Sequence, residues 1–203
     1  MKYYRHQSNA FPPNYLNDLR GEILASPYFA TNNLNRDFVG TKGFSVVFQR
    51  SHQSEVERQF PFFKLYLEQA LDPACNAFYL NPLWLKQNSR VDPHIDRSLR
   101  SYCKTIAPPL LVSVLYIQVP ANLVGGQLVL RNHKQQVACI TPQSNTLLWF
   151  QGDLTHSVNA VQASGERFSL VCEQYSLDET ELQAIPEFTI ESRATPAKTA
   201  KLR

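Results

Sequence analysis

The amino-acid sequence predicts a mainly β fold, a sandwich or jelly roll buttressed by helices. Two observations support this prediction. Helical periodicity is confined to the first third of the chain, and from Cys75 onward the apolar residues alternate with polar ones at a period of two. The alternating runs number about eight, are short, and are separated by turn residues, which is typical of antiparallel sheets packed on helices.

Two helices are predicted before most of the strands. The first is expected to be capped by Asn14, after a pair of prolines, and its apolar face comprises Leu16, Leu19, Ile23 and Leu24. The second is expected to open at a capping box in residues 54–57 and to carry Phe60, Phe63, Leu67 and Leu71 at helical spacing. Pro61 lies inside this pattern and predicts a kink or a break.

One strand is predicted between the helices, at residues 44–48. The later strands are predicted at residues 77–85, 91–96, 111–119, 127–131, 136–140, 146–150, 156–161 and 167–175. Residues 132–135 are typical of a hairpin tip, where His133 is expected to be exposed.

Length and charge predict a single domain over residues 1–191, with the jelly-roll core at about 75–176. Residues 192–203 are expected to form a basic, disordered tail, because they contain four basic residues and no acid. Without these four, 16 basic residues face 17 acidic ones, so the net charge of +3 belongs to the tail. We therefore expect no nucleic-acid partner.

Neither a secretory signal nor a membrane span is expected from the sequence. The start of the chain lacks an apolar run, and prolines and glycines interrupt the uncharged stretch 105–130. The four cysteines form no C-x-x-C pair, which favours reduced thiols and a cytoplasmic location.

Three residues predict a metal site. His94 and Asp96 are two apart, so an extended strand would direct both side chains to the same face. His156 follows a Gly-Asp turn at the start of a later strand. Two imidazoles and one carboxylate on one side of an ion leave its other side open, the arrangement typical of non-haem Fe(II).

Arg167 and Ser169 predict an anion site on the next strand. They are again two residues apart, and a guanidinium with a neighbouring hydroxyl is suited to a carboxylate. An arginine flanked by apolar residues needs an anionic partner, either a ligand or an acidic side chain elsewhere in the chain.

Together these motifs resemble the Fe(II)/2-oxoglutarate-dependent oxygenase family, in particular its prolyl-4-hydroxylase-like branch. The matching segments, in family order, are 94–96, 124–130, 142–153, 156–158 and 167–169. The resemblance implies a double-stranded β-helix with Fe(II) bound by His94, Asp96 and His156. It also implies that Arg167 and Ser169 bind the distal carboxylate of 2-oxoglutarate.

The same resemblance makes Tyr79 a further candidate for that carboxylate and Asn81 a candidate for the other end of the cosubstrate. It implies a dioxygenase, in which oxidative decarboxylation of 2-oxoglutarate to succinate and CO2 is coupled to hydroxylation of a C–H bond. The expected cofactors are Fe(II), 2-oxoglutarate and O2, with ascorbate as a stimulant. Prolyl hydroxylases often have lysine where this chain has Arg167, which weakens transfer of their substrate class.

The substrate and the reaction class stay open at this stage. Peptides, amino acids and small metabolites all fit, and the oligomeric state is not predicted. Basic residues in the loop 97–104 could attract an anionic substrate: Arg97, Arg100 and Lys104. An apolar pocket could be lined by Phe78, Trp84 and Tyr102.

Two alternatives to the oxygenase are a cupin-like metalloprotein and a non-catalytic binding domain. The cupin-like alternative leaves Arg167 without a ligand.

Overall fold

Twelve strands and four α-helices make up the part of the chain that the computed structural model describes, residues 2–32, 37–162 and 165–194. The helices are α1 (Pro13–Ala25), α2 (Gln53–Gln59), α3 (Lys64–Ala70) and α4 (Glu179–Ala184). The strands are β1 (Tyr4–Ser8), β2 (Ala30–Asn32), β3 (Phe38–Gly43), β4 (Ser45–Gln49), β5 (Ala77–His94), β6 (Leu111–Gln118), β7 (Leu128–Asn132), β8 (Gln135–Ile140), β9 (Thr146–Gln151), β10 (Thr155–Val158), β11 (Arg167–Tyr175) and β12 (Phe188–Glu191).

The strands form one curled antiparallel sheet in the order β1-β9-β6-β11-β5-β10-β7-β8. Strand β5 connects the two layers of this sheet. Its first half pairs with β11 and β4, its second half pairs with β10, and β3 pairs with residues of both halves. The chain thus passes from one layer to the other within a single strand, which is how a jelly roll closes, and the predicted double-stranded β-helix is confirmed.

Strand β5 also replaces two predicted strands, at 77–85 and 91–96. It is continuous from Ala77 to His94, with Asn88 at a φ of 69° inside it, and it ends before Asp96. Pro82 does not interrupt it, because the pairing with β11 runs unbroken from Ala77 to Leu85. The prediction that His94 and Asp96 share a strand is therefore wrong.

Helices α1 to α3 cover the outer face of one layer, as predicted. Leu19, Ile23 and Phe63 are fully buried against sheet residues such as Phe78 and Leu170. Burying an apolar face in this way provides most of the stability of such helices.

The predicted helix starts are wrong in detail. Helix α1 begins at Pro13, one residue before the expected Asn14 cap, because proline already has the φ that a first helical turn needs. Leu24 is 36% exposed rather than buried. Helix α2 begins at Gln53 without a side-chain cap, and the break at Pro61 is confirmed by a short 3-10 helix, Pro61–Phe63, before α3.

The C-terminal region contains structure that the sequence did not predict. Asp178 caps α4 by accepting a hydrogen bond from the Glu181 amide at 2.8 Å, and β12 pairs with β4. Ser192 donates a hydrogen bond from Oγ to the Tyr28 carbonyl oxygen at 2.5 Å, so residues 192–194 belong to the fold. The rest of the predicted tail, 195–203, lies outside the described residues.

Two remaining expectations concern the cysteines and membrane-spanning segments. The four cysteines are free thiols, as expected. Within the described ranges, no helix combines the length and apolarity required to cross a membrane.

Candidate active site

The two layers enclose a cavity of about 610 Å³. Much of its wall is apolar and comes from several strands, with Phe38, Val114, Leu128 and Phe150 among the lining residues. A few polar side chains interrupt this wall. A cavity of this size is typical of small-molecule sites, which combine apolar walls with a few polar groups that orient the ligand.

His94, Asp96 and His156 meet at this cavity, as the sequence predicted. His156 on β10 lies directly opposite His94 on β5 in the strand register. Asp96 bridges the two rings, because its Oδ1 lies 3.2 Å from His94 Nε2 and its Oδ2 lies 3.3 Å from His156 Nε2. The three side chains offer ligand atoms that all lie within 4.8 Å of one another.

Hydrogen bonds to the backbone orient both imidazoles for metal binding. Nδ1 lies 2.8 Å from the Asp92 carbonyl oxygen in His94, and 3.2 Å from the Leu154 carbonyl oxygen in His156. These carbonyls favour a proton on Nδ1 and leave each Nε2 lone pair directed at the centre of the group. Together with a carboxylate, this donor set fits Fe(II) with open coordination positions.

The charges of the trio depend on each other. Burial alone would keep His94 neutral, but the hydrogen bond and charge of Asp96 outweigh it and raise the pKa of His94 to about 9. Burial would likewise raise the pKa of Asp96, yet the two imidazoles hold it well below its usual range. Asp96 therefore stays ionised and attracts positive charge, whether a proton on a ring or a metal ion.

Arg167 is the second predicted centre, and it faces the same cavity. It is only 2% exposed, and its guanidinium lies over the ring of Tyr116 at 4.8 Å. Nη1 donates to the Gly126 carbonyl oxygen at 2.5 Å, but Nε has no hydrogen-bond partner. No carboxylate in the described part of the chain pairs with Arg167, so a buried positive charge is left for an anionic ligand.

The glycine pair 125–126 permits this arrangement. Both residues have positive φ, 82° and 71°, a backbone conformation that glycine adopts without strain. A Cβ on Gly125 would lie 1.9 Å from the Ala160 carbonyl oxygen, and one on Gly126 would lie 3.1 Å from Leu123 Cδ2. Only glycines fit here, and the turn they form presents the Gly126 carbonyl to Arg167.

Comparison with known proteins identifies the family. Residues 78–172, which include the metal trio and Arg167, match the family described as the 2OG-Fe(II) oxygenase superfamily. Within residues 78–172 the chain carries the sequence pattern of this superfamily. It is accordingly a 2-oxoglutarate-dependent oxygenase, whose cofactors are Fe(II), 2-oxoglutarate and O2. No curated protein sequence matches it significantly.

Solved structures similar to this oxygenase show the same fold. A Pseudomonas putida prolyl-4-hydroxylase matches with a TM-score of 0.59 and 15% identity, covering 86% of this chain and 93% of its own. A viral collagen prolyl hydroxylase from Paramecium Bursaria Chlorella virus-1, solved as a 2OG complex, matches with a TM-score of 0.54 and 16% identity, covering 87% and 97%. A Trichoplax adhaerens prolyl hydroxylase, solved in complex with a hypoxia inducible factor peptide fragment, matches with a TM-score of 0.56 and 15% identity. The match covers 88% of this chain and 84% of that protein.

The other predicted cosubstrate residues of the oxygenase lie at different places in the barrel. Ser169 is buried next to Arg167 on the strand, and its Oγ donates to the Leu83 carbonyl oxygen over a long 3.5 Å. Tyr79 lines the cavity farther along, where its hydroxyl accepts a hydrogen bond from Ser45 Oγ at 2.7 Å. Asn81 lines the cavity on the same face of β5 as Tyr79, as predicted.

The basic loop and the aromatic residues contribute little to the cavity. Arg97 lines it but is exposed, whereas Arg100 donates from Nε to the Ile106 carbonyl oxygen at 2.7 Å and stabilises the loop. Phe78 and Trp84 pack in or against the core beneath the helices. Tyr102 donates to the carboxylate of Glu191 instead of forming a pocket.

Sequence reasoning missed one buried acid in the cavity wall, Glu173. It lies on β11, six residues after Arg167 and on the same face. Burial, and then the negative charge of Asp96, raise the pKa of this carboxyl to about 8. The alternation along β11 could have placed it in the cavity, but a single glutamate on a strand usually faces solvent.

Proposed function

We propose that the oxygenase hydroxylates an unactivated C–H bond of a peptidyl, amino-acid or small-metabolite substrate. In the balanced reaction, 2-oxoglutarate, O2 and the substrate give succinate, CO2 and the hydroxylated product. The observation that carries this proposal is the presence, in one cavity, of a His-Asp-His trio and a buried arginine without a carboxylate partner.

In this proposal His94, Asp96 and His156 bind Fe(II). Fe(II) together with bound 2-oxoglutarate supplies the oxidising chemistry when the site is loaded. The three side chains bind from one side only, which keeps positions free for cosubstrate and dioxygen. The carbonyls of Asp92 and Leu154 hold the imidazole rings in the binding tautomer, so little reorganisation is needed.

Arg167 binds the distal carboxylate of 2-oxoglutarate in this scheme. Its Nε and the hydroxyl of Tyr116 are both buried without a hydrogen-bond partner in the described part of the chain, and a carboxylate bound beside them could accept from either. Ser169 can turn its hydroxyl from the weak bond to Leu83 towards the same group. The roles predicted for Tyr79 and Asn81 stay predictions.

The remaining walls orient the reactants and exclude water. Phe38 packs edge-on against His94, with ring centroids 5.4 Å apart, and Phe150 packs against His156 at 5.0 Å. Apolar rings beside the ligands keep bulk water from the reacting atoms and strengthen the electrostatic interactions there. The reaction needs no general base, so positioning is the protein's main contribution.

The first experiment is an anaerobic titration of the purified protein with Fe(II) and 2-oxoglutarate, monitored by the visible metal-to-ligand charge-transfer band. The sample is then exposed to oxygen and assayed for succinate. We expect the band in the wild type, its loss in His94→Ala, and slow succinate release without added substrate. Iron binding without the band would contradict the role of Arg167, and a lack of iron binding would contradict the metal site.

The proposal also places the protein in a reducing compartment such as the cytoplasm. Its support is that all four cysteines are free thiols, two of them buried where oxidants have little access.

A further inference from the structure

The carboxylate of Glu173 has no role in the chemistry proposed so far. It lines the cavity and is only 5% exposed. It is not one of the three residues whose ligand atoms converge on the metal position. A buried acid in a binding cavity needs a reason, because desolvating a carboxylate without a partner is energetically costly.

Hydrogen bonds fix the orientation of this carboxylate without neutralising it. Oε1 accepts from Ser98 Oγ at 2.5 Å, and Oε2 accepts from the Ser98 amide at 3.2 Å and from the hydroxyl of Tyr175. These donors are all uncharged. Among the described residues no lysine, arginine or histidine pairs with Glu173, and the charge that shifts its pKa is the like charge of Asp96.

A second buried acceptor lies on the same wall. Asn81 is 9% exposed, and its amide nitrogen donates to Ser45 Oγ at 3.0 Å, which leaves Oδ1 buried without a hydrogen-bond partner. Asn81 pairs with Val171 across the strands, two residues from Glu173. Glu191 also lines the cavity. When Glu173 is ionised, this region therefore offers hydrogen-bond acceptors and negative charge. A bound cation would take the place of the proton that Glu173 keeps in the empty cavity.

The cosubstrate does not account for these acceptors. Both ends of 2-oxoglutarate are anionic and would be repelled by Glu173. Arg167, which attracts an anion, lies six residues away along β11, or about 20 Å at the rise of a β-strand. The positive charge of Arg97 at the cavity wall is solvent-exposed and therefore screened.

We propose that Glu173 is a specificity-determining residue that binds a cationic group of the substrate, a protonated amine or a guanidinium. This inference rests on the proposed function, since it assigns the substrate class of the same cavity. A cation held there lies close to Asp96, because Ser98 links Glu173 to the segment that carries this metal ligand. The carbon to be oxidised would then be near the ammonium or guanidinium group.

The test measures binding of three small probes of similar size: n-butylammonium, n-butanol and butyrate. Each is titrated calorimetrically into the anaerobic protein, both loaded with Fe(II) and 2-oxoglutarate and free of them. In the wild type we expect n-butylammonium to bind at least about tenfold more tightly than n-butanol in both states. Butyrate should bind most weakly in the loaded protein, where 2-oxoglutarate occupies Arg167. In the unloaded protein only n-butylammonium and n-butanol are compared, because butyrate can bind at Arg167 there.

Variants at Glu173 show whether this residue causes the preference for n-butylammonium over n-butanol. Glu173→Gln should abolish it, whereas Glu173→Asp, which keeps the charge at shorter reach, should retain part of it. Glu187→Gln is the matched control, because Glu187 pairs with His52 at 3.2 Å and its side chain is 72% exposed. The control should bind n-butylammonium like the wild type.

The charge-transfer band separates failure of this inference from failure of the proposed function. It should persist in all three variants, which also shows that they fold. If the band is absent in the wild type, the proposed function fails, and the titrations of the unloaded protein still decide the cation site. A cation preference that survives Glu173→Gln, or no binding of any probe up to about 50 mM, would overturn the inference.

Discussion

His94 and His156 face each other on adjacent antiparallel strands, with their ring centroids 4.4 Å apart. Two imidazoles at this distance would repel each other if both were protonated. The carboxylate of Asp96 between them removes this conflict, and a divalent cation would do so more completely. The pairing of β5 with β10 therefore prepares a cation site before any metal binds.

Replacing His156 with alanine should weaken Fe(II) binding. Loss of a direct ligand should cost at least as much as loss of an outer-sphere partner, so we expect a decrease of at least about 100-fold in affinity. Equilibrium dialysis with Fe(II) under anaerobic conditions measures this. The control is His133→Ala, because His133 lies exposed at the tip of the β7–β8 hairpin. Equal iron binding by the His156 variant and the wild type would exclude this site.

Replacing Arg167 with leucine should abolish 2-oxoglutarate binding but not iron binding. Removal of a buried charged donor pair from a carboxylate raises the dissociation constant by about 100-fold or more. Arg167→Lys should retain part of the affinity, because it keeps the charge but not the planar fork. Calorimetric titration of 2-oxoglutarate into the Fe(II)-loaded protein distinguishes these outcomes. The control is Arg131→Leu, at an exposed position of β7.

Replacing Gly126 with alanine should destabilise the protein and weaken cosubstrate binding together. The positive φ and the close Leu123 side chain predict a loss of about 1–2 kcal/mol in the free energy of unfolding. The displaced carbonyl would also leave Arg167 less well held. Urea unfolding and 2-oxoglutarate titration measure the two effects.

A matched glycine tests whether this effect is specific. Gly21 lies inside α1, and a Cβ there meets no atom within 4 Å. Gly21→Ala should therefore stabilise the protein by about 0.5–1 kcal/mol and leave 2-oxoglutarate binding unchanged. Stabilisation by both substitutions would contradict the strain assigned to Gly126.

The sequence predicts the long strands because buried, alternating side chains produce their periodicity. The short outer strands have no such signal. All five residues of β1 are exposed, and β2 and β12 contain only three and four residues. Their pairing depends on the neighbouring strands, β9, β3 and β4, and not on their own composition.

The candidate site could be predicted where several motifs supported one another. His94, Asp96 and His156 are informative as a set with Arg167, because their order and spacing match a known family. Glu173 belongs to no such set. The alternation along β11 places it on the same face as Arg167, but its contact with the segment after β5 depends on the curvature of the sheet, which local patterns do not contain.

The pH dependence of stability provides an independent view of Glu173. In the protein freed of iron, its folded-state pKa of about 8 lies above the ordinary value of 4.5. The folded state therefore keeps a proton that the unfolded chain releases, so the stabilising contribution is full below pH 4.5 and is lost as the pH rises towards 8. The raised pKa of His94 also makes the free energy of unfolding fall with rising pH, but only between pH 6.5 and about pH 9.

Between about pH 5 and 6.5 the free energy of unfolding of the iron-free protein should thus fall, with a slope of at most about 1.4 kcal/mol per pH unit from this group. Glu173→Gln removes the titrating proton and should flatten the profile, whereas the exposed Glu187→Gln should leave it unchanged. Urea unfolding followed by fluorescence of the two tryptophans measures both slopes. Identical profiles for Glu173→Gln and the wild type would mean that Glu173 is ionised in the empty cavity, and that its charge is already compensated by groups other than a bound cation.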